Sequence, residues 1–196
     1  MSKMKPLLII VDRDGTLIEL VDYLGKEGDW KEQIKLNIQV AELMRFAQKK
    51  FSILTYVVSN QQGVARGYFS QERVEEINND INRELQVQGI KIDGWNYCPD
   101  VDNSYAKKHP EITFDNLYVK AKTKRKPSIE MVLELLKKDK LDLGSLEKII
   151  VLGDADDDKK LATNLNASYI DVRGKDYKFL IDEFLFIMKK NNFSDN

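Results

Sequence analysis

The sequence predicts a three-layer α/β fold, a parallel sheet with helices on both faces and no large cap domain. Three observations predict it. Short, continuous apolar runs recur along the 196-residue chain. Such runs suit strands buried on both faces of a parallel sheet. Between them lie stretches with apolar residues three and four apart, the helical period. The first three runs also end in polar residues, where an open parallel sheet binds its ligands.

The elements follow in order. Leu7 to Val11 is the first strand, stopping at Asp12. Leu36, Val40 and Met44 suggest a helix. Ile53 to Val58 is a second strand, ending at Ser59-Asn60-Gln61-Gln62-Gly63. Val74, Ile77, Ile81 and Leu85 mark a helix with Ser70 as its N-cap. Trp95 to Cys98 reads as a strand. Ile129, Val132, Leu133 and Leu136 form another helical stripe, with Ser128 as its cap. Ile149 to Leu152 is a strand ending at Gly153-Asp154, and Tyr169 to Val172 is one ending at Arg173-Gly174. Leu180, Phe184, Leu185 and Met188 mark the closing helix. Strands alternating with helices argue for βα units. With no repeat or linker, residues 1–190 are expected to form one domain, with 191–196 as a frayed tail.

Composition narrows the function. The hydrophobic fraction of 42% supports a packed core, and the formal charge is -1, from 31 basic and 32 acidic residues. That balance gives no global attraction to nucleic acid or an anionic membrane. Cys98 is the only cysteine and His109 the only histidine. An intrachain disulfide and a metal site rich in thiolate or imidazole are therefore excluded. The N-terminal apolar run is too short for a signal peptide or a membrane span, so a cytoplasmic protein without a membrane partner is expected. Oligomeric state is not encoded in any of these features.

Asp12-Arg13-Asp14-Gly15-Thr16 carries the first chemistry. Carboxylates two residues apart on an extended segment project to one side, and Gly15 lets the chain turn away. One carboxylate can attack phosphorus while the other handles the leaving-group proton. Ser59, on the second strand tip, can donate to a phosphoryl oxygen, with loop amides behind it. Lys126-Pro127-Ser128 sets a cation before a helix start. In Gly153-Asp154-Ala155-Asp156-Asp157-Asp158, Asp154 suits a direct ligand of a hard cation such as Mg²⁺. Asp158 lies one helical turn further on, placed to support a bound water or Lys126. Asp156 and Asp157 favour a helix N-terminus.

These motifs resemble, in type and order, the haloacid dehalogenase superfamily of phosphohydrolases, with its Rossmann-like sheet. VDRDGTL, VVSNQQGVARGYF, Tyr97-Cys98-Pro99 and Arg125-Lys126-Pro127 are most similar to subfamily IIIA. That small, largely capless branch holds the histidinol-phosphatases and the D-glycero-D-manno-heptose 1,7-bisphosphate phosphatases. The resemblance implies a Mg²⁺-dependent phosphomonoesterase acting through an aspartyl-phosphate on a small phosphorylated metabolite. Asp12 would be the nucleophile and Asp14 the acid and base. Ser59 and Lys126 would clamp the phosphoryl group. Mg²⁺ would sit on Asp12, the Asp14 carbonyl and Asp154, with Asp158 behind. Asn60, Gln61 and Arg125 would contact substrate.

The branch often carries a zinc loop of Cys-x-His and two later cysteines. Here Cys98 is followed by Pro99, so zinc is not expected, and segment 100–122 replaces that loop. Residues 19–35 have the length for a small flap. Two alternatives stand beside this reading. The basic run Lys120 to Lys126 would suit a polynucleotide 3′-phosphatase. A noncatalytic, phosphate-responsive binding module would keep the same phosphate ligands without needing Asp14.

Overall fold

The structure, a computed structural model, describes residues 5–189; the expected frayed tail at 191–196 lies outside them. Strand β1 (Leu7–Val11) is buried at every position. Its alternate side chains enter two separate cores, because successive residues of a strand face opposite ways. Ile9 and Val11 join one core, Leu8 and Ile10 the other.

The first core is closed by α2 (Ile38–Lys50) and by α3 (Gln71–Val87), which follows β2 (Ile53–Asn60). Beyond β3 (Gly94–Cys98) and the two-residue strands β4 (Val101–Asp102) and β5 (Val119–Lys120), α5 (Glu130–Lys138) covers the second core. It shares that face with α6 (Asp156–Asn164), which follows β6 (Lys148–Gly153). After β7 (Ser168–Asp171), the last helix α7 (Tyr177–Lys189) returns to the first core through Leu180 and Phe184. Each fully buried Leu, Ile or Phe contributes about 1.5–3 kcal/mol relative to exposure. The layering is therefore a direct consequence of the apolar strand runs.

The main sheet runs β3-β2-β1-β6-β7 with every pairing parallel. Val11 is in register with both Val57 and Leu152. The chain builds outward from β1 on one side and then resumes with β6 on the other. That reversal opens a crevice at the carboxyl ends of β1 and β6, the usual ligand position in such sheets.

Local details differ from the sequence expectation for physical reasons. Ser70 caps α3 by accepting from Arg73 N at 3.3 Å. Helix α5 starts one residue late: Ile129 occupies the cap position and Ser128 Oγ accepts from Glu130 N. Within α5, Leu133 faces solvent and Met131 and Leu135 fill the buried stripe. Leu36 lies before α2, whose cap is Asn37, and pairs as a single bridge with Ile18.

Two irregular segments border the crevice. Residues 19–35, with the short helix α1 (Trp30–Gln33), are anchored in the first core by Leu24, Trp30 and Ile34. Segment 99–122 carries α4 (Asn103–Lys108) between β4 and β5, which pair parallel in a sheet of their own. Among the described residues, no helix is long and apolar enough to cross a membrane.

Candidate active site

The tips of β1 and β6 are locked side by side, with Asp12 N donating to Leu152 O at 3.1 Å. Asp12 and Asp154 thus leave adjacent strands at the same level. Gly15 turns the chain at φ +83°, and a Cβ there would stand 2.4 Å from Asp154 Oδ2. Only glycine meets both demands. Thr16 Oγ1 donates to Asp154 Oδ1 at 3.2 Å and fixes that carboxylate. Gly153 plays the matching part on β6, where a Cβ would lie 2.3 Å from Asp158 Cβ. Asp158, in the first turn of α6, accepts from Ala155 N and is buried.

Carboxylate oxygens of Asp12, Asp154 and Asp158 lie within 4.8 Å of one another. Among the described residues, Lys126 is the cation ion-paired with them. Its Nζ contacts Asp12 Oδ1 and stands 2.7 Å from Asp158 Oδ1. Burial pushes the Asp12 carboxyl up to about 7, with Asp158 and Asp14 adding to the rise and Lys126 opposing it. Burial likewise raises Asp154; the Thr16 hydrogen bond opposes this and Asp158 adds to it. For Lys126, burial acts to lower its pKa, but Asp12 and Asp158 outweigh it and hold the ammonium above its usual range. Three carboxylates against one paired ammonium leave two negative charges. An all-oxygen donor set with that charge fits a hard divalent cation.

Asp14 faces a different set of partners. Arg13 is fully buried and donates from Nε and Nη2 to Asp14 and from Nη1 to Asn78 Oδ1 at 3.0 Å. Ser59 Oγ donates to Asp14 Oδ2 at 3.2 Å and Gln61 Nε2 to the same oxygen at 2.7 Å. Gln61 Nε2 also reaches Ser59 Oγ at 2.6 Å. Every partner of Asp14 is a donor, so the site holds it as an acceptor.

Asn60 grips the main chain of Lys126 at both ends of its amide. Its Oδ1 accepts from Lys126 N at 2.8 Å and its Nδ2 donates to Lys126 O at 3.3 Å. Arg125 points to the far side of Lys126. Its Nη2 is 3.8 Å from Asp157, its guanidinium is 5.2 Å from the Tyr105 ring, and its Nη1 is buried without a partner. The site is thus flanked by two clefts. One, of about 380 Å³, is bordered by Asp14, Tyr23, Asn60, Gln61 and Phe69. The other, of about 680 Å³, is bordered by Tyr105, Lys107, Lys122, Arg125 and Lys126.

The residues singled out in the sequence therefore gather at one crevice. Those it did not single out are Arg13, Asn78, Thr16 and Tyr105. Arg13 was visible between the two aspartates, but Asn78 sits on α3 with no local signal. Cys98 is buried with Sγ near Asp100 O, whereas His109 lies beside Tyr105 and Glu111. The basic run is largely committed internally: Lys124 bonds Asn96 and Glu134, Arg125 approaches Asp157, and Lys126 faces Asp12.

No protein-family model matches the chain. A D-glycero-beta-D-manno-heptose-1,7-bisphosphate 7-phosphatase from Haemophilus influenzae is 30% identical over 152 residues, covering 78% of this chain and 73% of the relative. The chain belongs to the haloacid dehalogenase superfamily, in its heptose bisphosphate phosphatase-like branch. An enzyme of the same name from Rhodopseudomonas palustris is 28% identical over 180 residues, covering 92% of this chain and 91% of the relative. Among solved structures, a HAD-like phosphatase from Mesorhizobium loti superposes with a TM-score of 0.69 at 26% identity, over 87% of this chain and 73% of the other. The D,D-heptose 1,7-bisphosphate phosphatase of B. bronchiseptica, solved with magnesium and phosphate, has the same fold. Its TM-score is 0.64 at 20% identity, over 90% of this chain and 86% of the other. This haloacid dehalogenase-type chain is a phosphatase.

Proposed function

We propose that this phosphatase hydrolyses a phosphomonoester of a small phosphorylated sugar through an aspartyl-phosphate on Asp12, with Mg²⁺ as cofactor. The observation that carries the reading is the convergence of Asp12, Asp154 and Asp158 around Lys126 at the strand tips. Asp12, Asp154 and the Asp14 carbonyl would hold the cation, with Asp158 behind them. Bound there, Mg²⁺ supplies positive charge against the phosphoryl oxygens and the nucleophile.

Asp12 Oδ attacks phosphorus and the bond to the leaving oxygen breaks. Asp14 gives that oxygen its proton, then takes one from the water that cleaves the acyl phosphate. Arg13, Ser59 and Gln61 all donate to Asp14 and fix where its carboxylate lies. Ser59 Oγ and Lys126 Nζ are placed to hold the transferring group, and Asn60 fixes Lys126. Positioning and charge of this kind supply most of the catalysis in phosphoryl transfer. Gln61 and Arg125 face the two clefts and are read as substrate contacts. The heptose bisphosphates named for the relatives motivate the sugar class, and residues 1–190 are read as one catalytic unit.

The test is phosphate release from a panel with and without Mg²⁺. The panel holds D-glycero-D-manno-heptose 1,7-bisphosphate, histidinol phosphate, hexose phosphates and a 3′-phosphorylated oligonucleotide. Mg²⁺-dependent release from a sugar phosphate, lost in Asp12→Asn, is expected. Release that survives in Asp12→Asn removes the nucleophile assignment, and a preference for the oligonucleotide removes the substrate class.

A further inference from the structure

Arg66 lies in the VARGYF stretch after β2, and none of the chemistry above uses it. Its guanidinium carbon is 5.1 Å from the Tyr23 ring centroid and 5.8 Å from that of Phe114. Its Nη2 donates to Tyr105 Oη at 3.3 Å, and its Nε is buried without a partner. One residue earlier, Ala65 O accepts from Asp115 N at 2.8 Å. Three segments meet at this point: residues 19–35, the loop after β2, and segment 99–122.

Segment 99–122 has few other anchors: Val101 is buried, and Tyr118 Oη accepts from Gln71 Nε2 at 3.4 Å. Helix α4 and the single 3₁₀ turn at Asn116–Tyr118 contribute no buried residue, and β4 and β5 pair over two residues each. A planar cation can engage aromatic rings and hydrogen-bond in its own plane at once, which an ammonium cannot. Tyr105 in turn places its ring 5.2 Å from the Arg125 guanidinium. Tyr23 borders one cleft, and Tyr105 and Arg125 border the other.

We infer that Arg66 is a positioning residue that ties the Tyr23 loop to segment 99–122 and, through Tyr105, orients Arg125 for substrate. The inference rests on the reading of Arg125 as a substrate contact. It assigns to one arginine the task of setting the two crevice walls at a fixed distance. Arg66 itself touches no reacting atom.

Hydrogen exchange and steady-state kinetics test it together on the full chain. In Arg66→Met, amides of 20–26 and 103–118 should exchange faster while those of β1 and β6 keep their protection. KM for D-glycero-D-manno-heptose 1,7-bisphosphate should rise about tenfold with kcat nearly unchanged, the size expected for a lost cation–aromatic and hydrogen-bonded contact. Hydrolysis of p-nitrophenyl phosphate, too small to span the second cleft, should stay within about twofold, as for a loss of remote contacts alone. Arg125→Met should raise the same KM, and the double variant should be no worse than Arg125→Met. Arg66→Lys should recover only part of the KM, since it lacks the planar fork. Unchanged exchange in both loops overturns the inference. So does an unmoved KM in Arg66→Met beside a raised one in Arg125→Met, or an additive double variant. An unmoved KM in Arg125→Met overturns instead the reading of Arg125 as a substrate contact, and the inference with it.

Discussion

The two sides of the crevice are held in place by different means. At the tips of β1 and β6, main-chain register sets the geometry: Asp12 N bonds Leu152 O, and glycines 15 and 153 let carboxylates approach the backbone. Across the crevice, segment 99–122 is placed mainly by side chains, Arg66 and Tyr105, with one main-chain bond from Asp115 N to Ala65 O beside them. The first side is dense and charged, so a change there should damage chemistry and shift stability at the same time. The second side buries few of its residues, so a change there should alter recognition and leave the chemical step alone.

Lys126→Met is expected to give the largest loss on the first side. It removes the ammonium shared by Asp12 and Asp158, lowering kcat on p-nitrophenyl phosphate by about 10²–10³, as for loss of one preorganised donor. Breaking a buried pair also costs about 3–5 kcal/mol, measurable by urea unfolding. A kcat loss without any stability loss would show that the carboxylates are not held by this lysine.

Gly15→Ala comes next. Its Cβ would displace Asp154 from its seat beside Thr16. The Mg²⁺ concentration for half-maximal activity should rise about 10–100-fold, the usual cost of disturbing a ligand's support. An unchanged Mg²⁺ dependence would place the cation away from Asp154.

Asp12 also predicts a pH effect. Its pKa is raised from the ordinary 3.8 to about 7 in the folded protein. Stability from this group is therefore complete below about pH 4 and is lost as pH rises through about 7. In the presence of chelator, Asp12→Asn should melt several degrees above the wild type at pH 8, with the gap closing toward pH 5. An equal gap at both pH values would mean that Asp12 does not titrate in this window.

The smallest effect belongs to the second side. Asp115 Oδ1 accepts from Leu117 N at 2.9 Å, capping an exposed turn. Asp115→Ala should lower the melting temperature by no more than a few degrees and leave kcat on p-nitrophenyl phosphate within about twofold. A large kcat loss would erase the distinction between the two sides.

The same division governs what the sequence reveals. Strands buried on both faces must be apolar throughout, so β1, β2 and β6 stand out as runs, and each tip residue follows directly from its run. The order of Asp12, Ser59, Lys126 and Asp154 along the chain could then be read from their positions. Partnerships formed across the fold could not. Nothing near Asn78 signals that it holds Arg13, and the grip of Asn60 on the Lys126 main chain depends on two loops meeting. β4 and β5 are two residues long, too short for any period to show. Leu133 fits the helical stripe by spacing, yet it points outward because Met131 and Leu135 already fill that face.

The sheet order carries a consequence for how the chain matures. β1 is made first, yet one of its two hydrogen-bonded neighbours, β6, begins at Lys148. Until that stretch has left the ribosome, β1 presents an open edge lined with apolar side chains, a template for pairing with other chains. The same delay leaves Asp12 without Asp154 and Asp158. Chains shortened before Lys148 should therefore be insoluble as well as inactive, because the same stretch brings in Asp154 and Asp158 and closes the exposed edge.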